Sequence, residues 1–125
     1  MKEKDLQSKF TRWLKTNKKP GAYELKLCKT KSMPFSAVKE HQINALFKAQ
    51  TEGIAYKISD FSPGYKPFDC FFLYAPAFVV IGFWQPRKLR VYMINVSEFI
   101  QMKAYSSRRS LTEEMAKGHG RIINL

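Results

Sequence analysis

Acidic residues are scarce in this chain of 125: ten Asp and Glu stand against 22 Lys and Arg, a formal charge of +12. A surface of that sign excludes most basic partners and points to a polyanion. Cysteine is scarcer still, with Cys28 and Cys70 alone, both in apolar surroundings. Neither a disulfide framework nor a thiolate zinc site is available, and with no signal-peptide pattern ahead of them a reduced, cytoplasmic protein is expected. Only six Gly and six Pro interrupt a composition that is 45% hydrophobic and holds ten Phe, six Tyr and two Trp, which excludes a disordered tail. The apolar run 70–84 carries Pro76 and Gly82 and is too short for a membrane span. No basic amphipathic helix with a wide apolar face is present, so nucleic acid is a better expected partner than a membrane. The length suits one domain with a sizeable core.

Periodicity places the elements. Leu6, Phe10, Trp13 and Leu14 share one face of a helix over residues 3–15, which Pro20 and Gly21 end. Residues 22–28 alternate as a strand with Tyr23, Leu25 and Leu27 on one side and Glu24 and Lys26 on the other. A second helix is expected over 37–52, with Ser36 as N-cap and Gly53 as its stop. Strands follow at 54–58, 68–74, 77–83 and 89–94, the 68–74 and 77–83 pair as a hairpin. A helix over 96–104 and a short one opened by the capping box Ser110-Leu111-Thr112-Glu113, stopping at Gly118, complete the chain.

The few acids can be sorted by context. Asp5, Glu40, Glu52, Asp60, Glu98, Glu113 and Glu114 fall on polar faces, helix ends or turns, where solvated or capping carboxylates are the ordinary case. Glu24 sits mid-strand, Asp69 heads an aromatic strand between Phe68 and Cys70, and Glu3 shares the helical face of Leu6 and Phe10. A carboxylate in such surroundings is costly unless something pairs with it. Two residues of strand rise put Glu24 and Lys26 about 7 Å apart on one face; an exposed surface pair is the plain alternative. On the second helix, Phe35, Val38, Ala45, Leu46 and Ala49 cluster with Gln42 at their middle. That amide is either a satisfied core group or points into the polar pocket of Glu24 and Lys26. His41 and His119 stand far apart in sequence, leaving a Cys–His pair as a remote alternative, and Gly64 and Gly82 lack phosphate-loop spacing.

Glu24-Leu25-Lys26 on a strand, a Lys-rich loop, Pro34-Phe35-Ser36, His41-Gln42-Ile43 on a helix, Gly53-x-Ala55-Tyr56-x-Ile58 and Lys66-Pro67-Phe68-Asp69 together resemble the RecU-like Holliday-junction resolvases, including small phage-encoded versions, of the PD-(D/E)XK nuclease superfamily. The similarity spans about residues 3–100. The resemblance implies an α/β fold, a restriction-endonuclease-like mixed sheet of about five strands flanked by helices. It also implies a Mg²⁺-dependent endonuclease, with Mn²⁺ as a substitute, that cuts branched DNA as a homodimer in a bacterial or phage-infected cell. Glu24 and Asp69 would be metal ligands, Lys26 the catalytic lysine, Gln42 the family's helix Gln and Glu3 its first-helix acid.

The order of these residues departs from the family's, in which the metal-binding Asp precedes Glu-x-Lys. Either the Asp strand has moved downstream and re-enters the sheet beside Glu24, or the site is degenerate; the Pro67-x-Asp69 pattern favours the first, with Asp60 as the fallback ligand. Arg12, Lys18, Lys19, Lys29, Lys31, Lys66, Arg87, Lys88, Arg108 and Arg109 sit mostly in turns and helix ends, where they would track phosphates. The aromatic strands at 71–74 and 78–83, with Trp84, offer a dimer surface unless helices cover them. The rival readings are a non-catalytic nucleic-acid-binding protein and a same-fold nuclease acting on DNA ends or nicks.

Overall fold

The computed structural model describes residues 1–57 and 70–125. In chain order the elements are α1 (Glu3–Asn17), β1 (Ala22–Cys28), β2 (Ser32–Pro34), a 3-10 turn (Phe35–Ala37), α2 (Glu40–Thr51), β3 (Ile54–Lys57), β4 (Cys70–Leu73), β5 (Ala77–Gln85), β6 (Lys88–Asn95), α3 (Val96–Tyr105), β7 (Ser110–Thr112), α4 (Glu113–His119) and β8 (Arg121–Ile123). The architecture is mixed α/β: a four-stranded mixed sheet in the order β1-β5-β6-β8, flanked by helices, with separate two-stranded ladders β2-β7 and β3-β4. No helix among the described residues is long and apolar enough to cross a membrane.

The apolar run of β5 decides its place. Ala77, Val79, Val80, Ile81 and Phe83 are all buried, so this strand is apolar on both faces and must be covered on both. It pairs in parallel with β1 and antiparallel with β6. Val80 faces α1, packing with Leu6, Phe10, Val91 and Ile123, against which Tyr23, Leu25 and Leu27 also lie. Val79, Ile81 and Phe83 face the other way, against Ile43 and Leu46 of α2, Phe99 and Met102 of α3 and Ala116 of α4. Gly82 lets α1 settle close, since a Cβ there would lie 3.1 Å from Leu6.

Several expectations are corrected. The hairpin between 68–74 and 77–83 does not form: β4 pairs antiparallel with β3, and β5 joins β1. The Ala75-Pro76 link carries the chain into the main sheet, where the Pro76 carbonyl accepts from the Ala22 N–H at 3.0 Å and the Ala77 N–H donates to Gln50 Oε1 at 3.1 Å. Among the described residues the expected sheet of about five strands has four, with β3 and β4 in a ladder of their own and β8 completing the far edge. Ser36 is not the N-cap of α2; it lies in the 3-10 turn, and the helix begins after Lys39. Ala45 is exposed and Ile43 is buried instead, so Gln42 lies at the margin of the buried face. The last helix is capped by Thr112, whose Oγ1 accepts from the Met115 N–H at 3.1 Å, because Ser110–Thr112 is taken up in the ladder with β2; it runs past Gly118 to His119. Helices cover residues 79–83 of β5, so that part of the expected dimer surface is interior. Exposed aromatic area remains on β3 and β4 and just beyond, at Tyr56, Phe71, Phe72 and Tyr74.

A polar knot joins α4 to the sheet. Arg90 donates to both carboxylate oxygens of Glu113, through Nε to Oε2 and through Nη2 to Oε1 at 2.8 Å, while the buried Tyr92 hydroxyl donates to Oε2 at 2.7 Å. The hydrogen bond from Arg90 holds the Glu113 carboxyl below its ordinary value, with Tyr92 adding to the effect against the opposing effect of burial. A carboxylate lowered in the folded state contributes stability above its unfolded pKa of about 4.3, lost as pH falls through the folded value. Glu113→Gln is expected to cost about 1–2 kcal/mol in urea unfolding at about pH 7. The gap from wild type should narrow as the medium is acidified below the ordinary carboxylate range; a gap independent of pH would contradict this assignment.

Candidate functional site

The site starts from β1, an edge of the described four-stranded sheet. Strand alternation sends Tyr23, Leu25 and Leu27 toward α1 and leaves Ala22, Glu24, Lys26 and Cys28 on the opposite face. Ala22 and Cys28 pack against the apolar core of that face. Glu24 and Lys26 are thus a charged pair set into a row that is apolar at both ends, opposite Val79 and Ile81 of β5 in register.

The pair is held. Lys26 Nζ lies 3.3 Å from Glu24 Oε1, and their side chains are only 17% and 28% exposed. Gln42 reaches the same atom from α2, its Nε2 donating to Glu24 Oε1 at 3.0 Å. Its Oε1 accepts from the Lys39 N–H at 2.9 Å, so one side chain both caps α2 and fixes the Glu24 rotamer. The Glu24, Lys26 and Gln42 side chains named from sequence therefore meet at one carboxylate oxygen.

On the α1 side of the strand edge, Gln7 and Thr11, one turn apart on the helix, line a shallow cavity of about 380 Å³ together with Glu24. Sequence reasoning missed both. Their signal was the i, i+4 polar row flanking the apolar face. Glu3 belongs to that row a turn earlier and is exposed, outside the Glu24–Lys26–Gln42 set. Asp69, the fallback Asp60 and Lys66 lie outside the described residues.

The basic residues gather at the two ends of β1. Lys18 and Lys19 precede it, in a turn tied to the strand by the Tyr23 hydroxyl, which donates to the Lys19 carbonyl at 2.8 Å. Lys29 and Lys31 follow it, and the β5–β6 turn with Arg87 and Lys88 emerges at the same end, because Cys28 is in register with Phe83. Arg108 and Arg109 sit beside the Lys29–Lys31 loop, where β7 pairs with β2 and the Phe35 N–H donates to the Arg109 carbonyl at 3.0 Å. Arg12 does not join them: it lines a groove on the other flank of α1.

Glu24 offers hard oxygen donors, the chemistry Mg²⁺ requires, and one or two carboxylates completed by water and phosphate are how that ion is usually held. Among the described residues no group of three or more His, Cys, Asp or Glu side chains is placed to hold a metal. Compared with protein-family models, curated proteins and solved structures, the chain matches none of them. Its functional reading accordingly rests on its own residues.

If Gln42 both caps α2 and holds Glu24, Gln42→Leu loses two hydrogen bonds and is expected to lower stability by about 2 kcal/mol. Gln42→Glu keeps an acceptor for the Lys39 N–H but sets a second carboxylate against Glu24, so its loss should shrink on acidification as one carboxyl protonates. Equal, pH-independent losses in urea titrations of both variants would contradict the dual role.

Proposed function

We propose that this protein is a Mg²⁺-dependent, structure-specific DNA endonuclease with a restriction-endonuclease-like fold, acting on four-way junctions. The carrying observation is the convergence of Lys26 and Gln42 on Glu24 Oε1, at 3.3 and 3.0 Å, on a strand edge framed by basic loops. The reading agrees with the resemblance of Glu24-x-Lys26, Gln42 and the Lys66–Asp69 segment to the RecU-like resolvases.

Glu24 would hold the ion, with water and phosphate oxygens completing its coordination; the strand after Asp69, β4, pairs with β3 and does not enter the sheet beside β1, against the expectation from the Pro67-x-Asp69 pattern. A Mg²⁺ ion held at Glu24 would supply charge stabilisation at the scissile phosphate and a more acidic water for attack. Lys26 does the rest at close range. Its ammonium, held by Glu24 in the uncomplexed protein, could orient the attacking water or offset negative charge in the transition state. Gln42 is a positioning residue, keeping the Glu24 carboxylate from swinging away. The loops carrying Lys18, Lys19, Lys29, Lys31, Arg87, Lys88, Arg108 and Arg109 supply sequence-independent affinity for the DNA backbone.

Resolving a four-way junction takes two symmetric cuts, and one site of this kind reaches one phosphodiester, so a two-fold homodimer is the proposed working unit. The aromatic surface at Tyr56, Phe72 and Tyr74, more than half exposed at each residue, supports such an interface. This reading sets the protein in the cytoplasm of a bacterial or phage-infected cell.

The test is incubation of an end-labelled four-way junction and the matching linear duplex with the protein, with and without Mg²⁺. Paired cuts in the junction alone, dependent on the ion, are expected. Glu24→Gln and Lys26→Ala should lower the single-turnover cutting rate by at least about a hundredfold while junction affinity stays near wild type. Tight binding without cutting would favour a non-catalytic DNA-binding protein, and cutting confined to ends or nicks would favour the processing rival.

A further inference from the structure

The far side of the molecule carries a second basic surface that shares only Arg87 with the loops assigned to the proposed nuclease site. α1 crosses one face of the sheet, and its two flanks differ. Gln7 and Thr11 look toward β1 and Glu24, whereas Lys9, Arg12 and Trp13 line a groove of about 620 Å³ against Arg121 and the residues after β8. Because β1 and β8 are opposite edges of the sheet, this groove lies across the sheet from Glu24. A second groove of about 470 Å³, lined by Trp84 and Arg87, shares Lys9 and residues 122–125 with the first, so the two run on as one channel. Among the described residues no carboxylate side chain lines either part.

The composition of the channel is specific. It holds both tryptophans of the chain, each half-buried, among Lys9, Arg12, Arg87 and Arg121. Trp13 is braced in place by stacking on Phe10, with ring centroids 5.7 Å apart. Arginine and lysine spaced along a groove follow a phosphate backbone, while an indole face takes a base that is not already paired and stacked. A duplex hides its base faces and would use the cations alone. Ile122 and Leu125 add exposed apolar area to the lining, so an anionic lipid surface is the alternative that a vesicle titration separates.

We infer that this α1–β8 channel binds a single-stranded segment of nucleic acid, with phosphates on Arg12, Arg121 and Lys9 and bases stacked on Trp13 and Trp84. The inference rests on the reading of the protein as one that acts on DNA, and adds to it a strand-binding path remote from Glu24.

Because the channel holds every tryptophan, intrinsic fluorescence reports on it directly. The experiment titrates wild type, Trp13→Phe, Trp84→Phe, Glu24→Gln and the double variant Arg12→Ala/Arg121→Ala with a thymidylate oligomer of about 12 nucleotides. Tryptophan emission is recorded together with anisotropy of a labelled oligomer. Saturable quenching is expected in wild type, in both single-tryptophan variants and in Glu24→Gln. The double variant should bind roughly tenfold more weakly, with a salt slope reduced by about 1.4. If the oligomer binds by anisotropy without changing tryptophan emission, or if only junction and duplex DNA bind, the channel assignment falls and the DNA reading stands. If no DNA binds by either measure, both fall. Quenching by anionic phosphatidylserine vesicles but not by the oligomer would overturn the assignment in favour of a lipid surface.

Discussion

The parallel pairing of β1 with β5 is the constraint on which the candidate site depends. A parallel neighbour cannot be reached by a tight turn, so the chain between the two strands must travel away and return. That excursion holds α2, which settles on the face of the sheet bearing Glu24 and Lys26 and brings Gln42 to them. β5 can serve as the partner because it is apolar on both sides and buried between helices. With β5 in the interior and β1 at an edge of the described sheet, the Glu24 carboxylate is at once packed against the core and reachable from outside.

The charge distribution follows from the scarcity of acids. Glu113 is taken by Arg90 and Tyr92, Glu98 pairs with His119 Nδ1 at 2.6 Å, Glu40 lies 3.6 Å from Lys103, and Asp5 accepts from the Lys2 N–H at 2.8 Å. With these acids held by local partners, most cations are left facing solvent, at both ends of β1 and along the α1–β8 channel. Apart from the Glu113 knot, these exposed pairs add little to stability. Their consequence is a surface whose excess positive charge is spread over two sides of the sheet, suited to a polyanion that wraps around rather than docks at one point.

Much of the site was legible in sequence because it follows from short-range rules. Alternation alone separates Glu24 and Lys26 from Tyr23, Leu25 and Leu27, and the helical wheel sets Gln42 near the buried face of α2. The wheel misplaced Ala45 and Ile43 because it included Phe35 and Val38, which precede the helix. Strand partnership was not legible. The apolar runs at 68–74 and 77–83 look alike, and nothing local distinguishes a hairpin from the long-range pairings that form. The three residues of β8, two of them exposed, carry no strand pattern of their own and are ordered by the free edge of β6. The channel was hidden for the same reason, since Arg12 and Arg121 line one groove, and Trp84 its continuation, only once that edge is built.

The central claim, that the Glu24 carboxylate is the metal-binding centre of a phosphodiester-hydrolysing site, is tested most directly by titrating ¹⁵N-labelled protein with substoichiometric Mn²⁺ and following paramagnetic broadening of backbone amides. The account predicts that amides around Glu24 and Lys26, with that of Gln42, broaden first, and that Glu24→Gln abolishes the effect. Broadening centred on Glu98 and His119 or on Glu113 and Glu114, or spread evenly over the acids with no focus at β1, would contradict it.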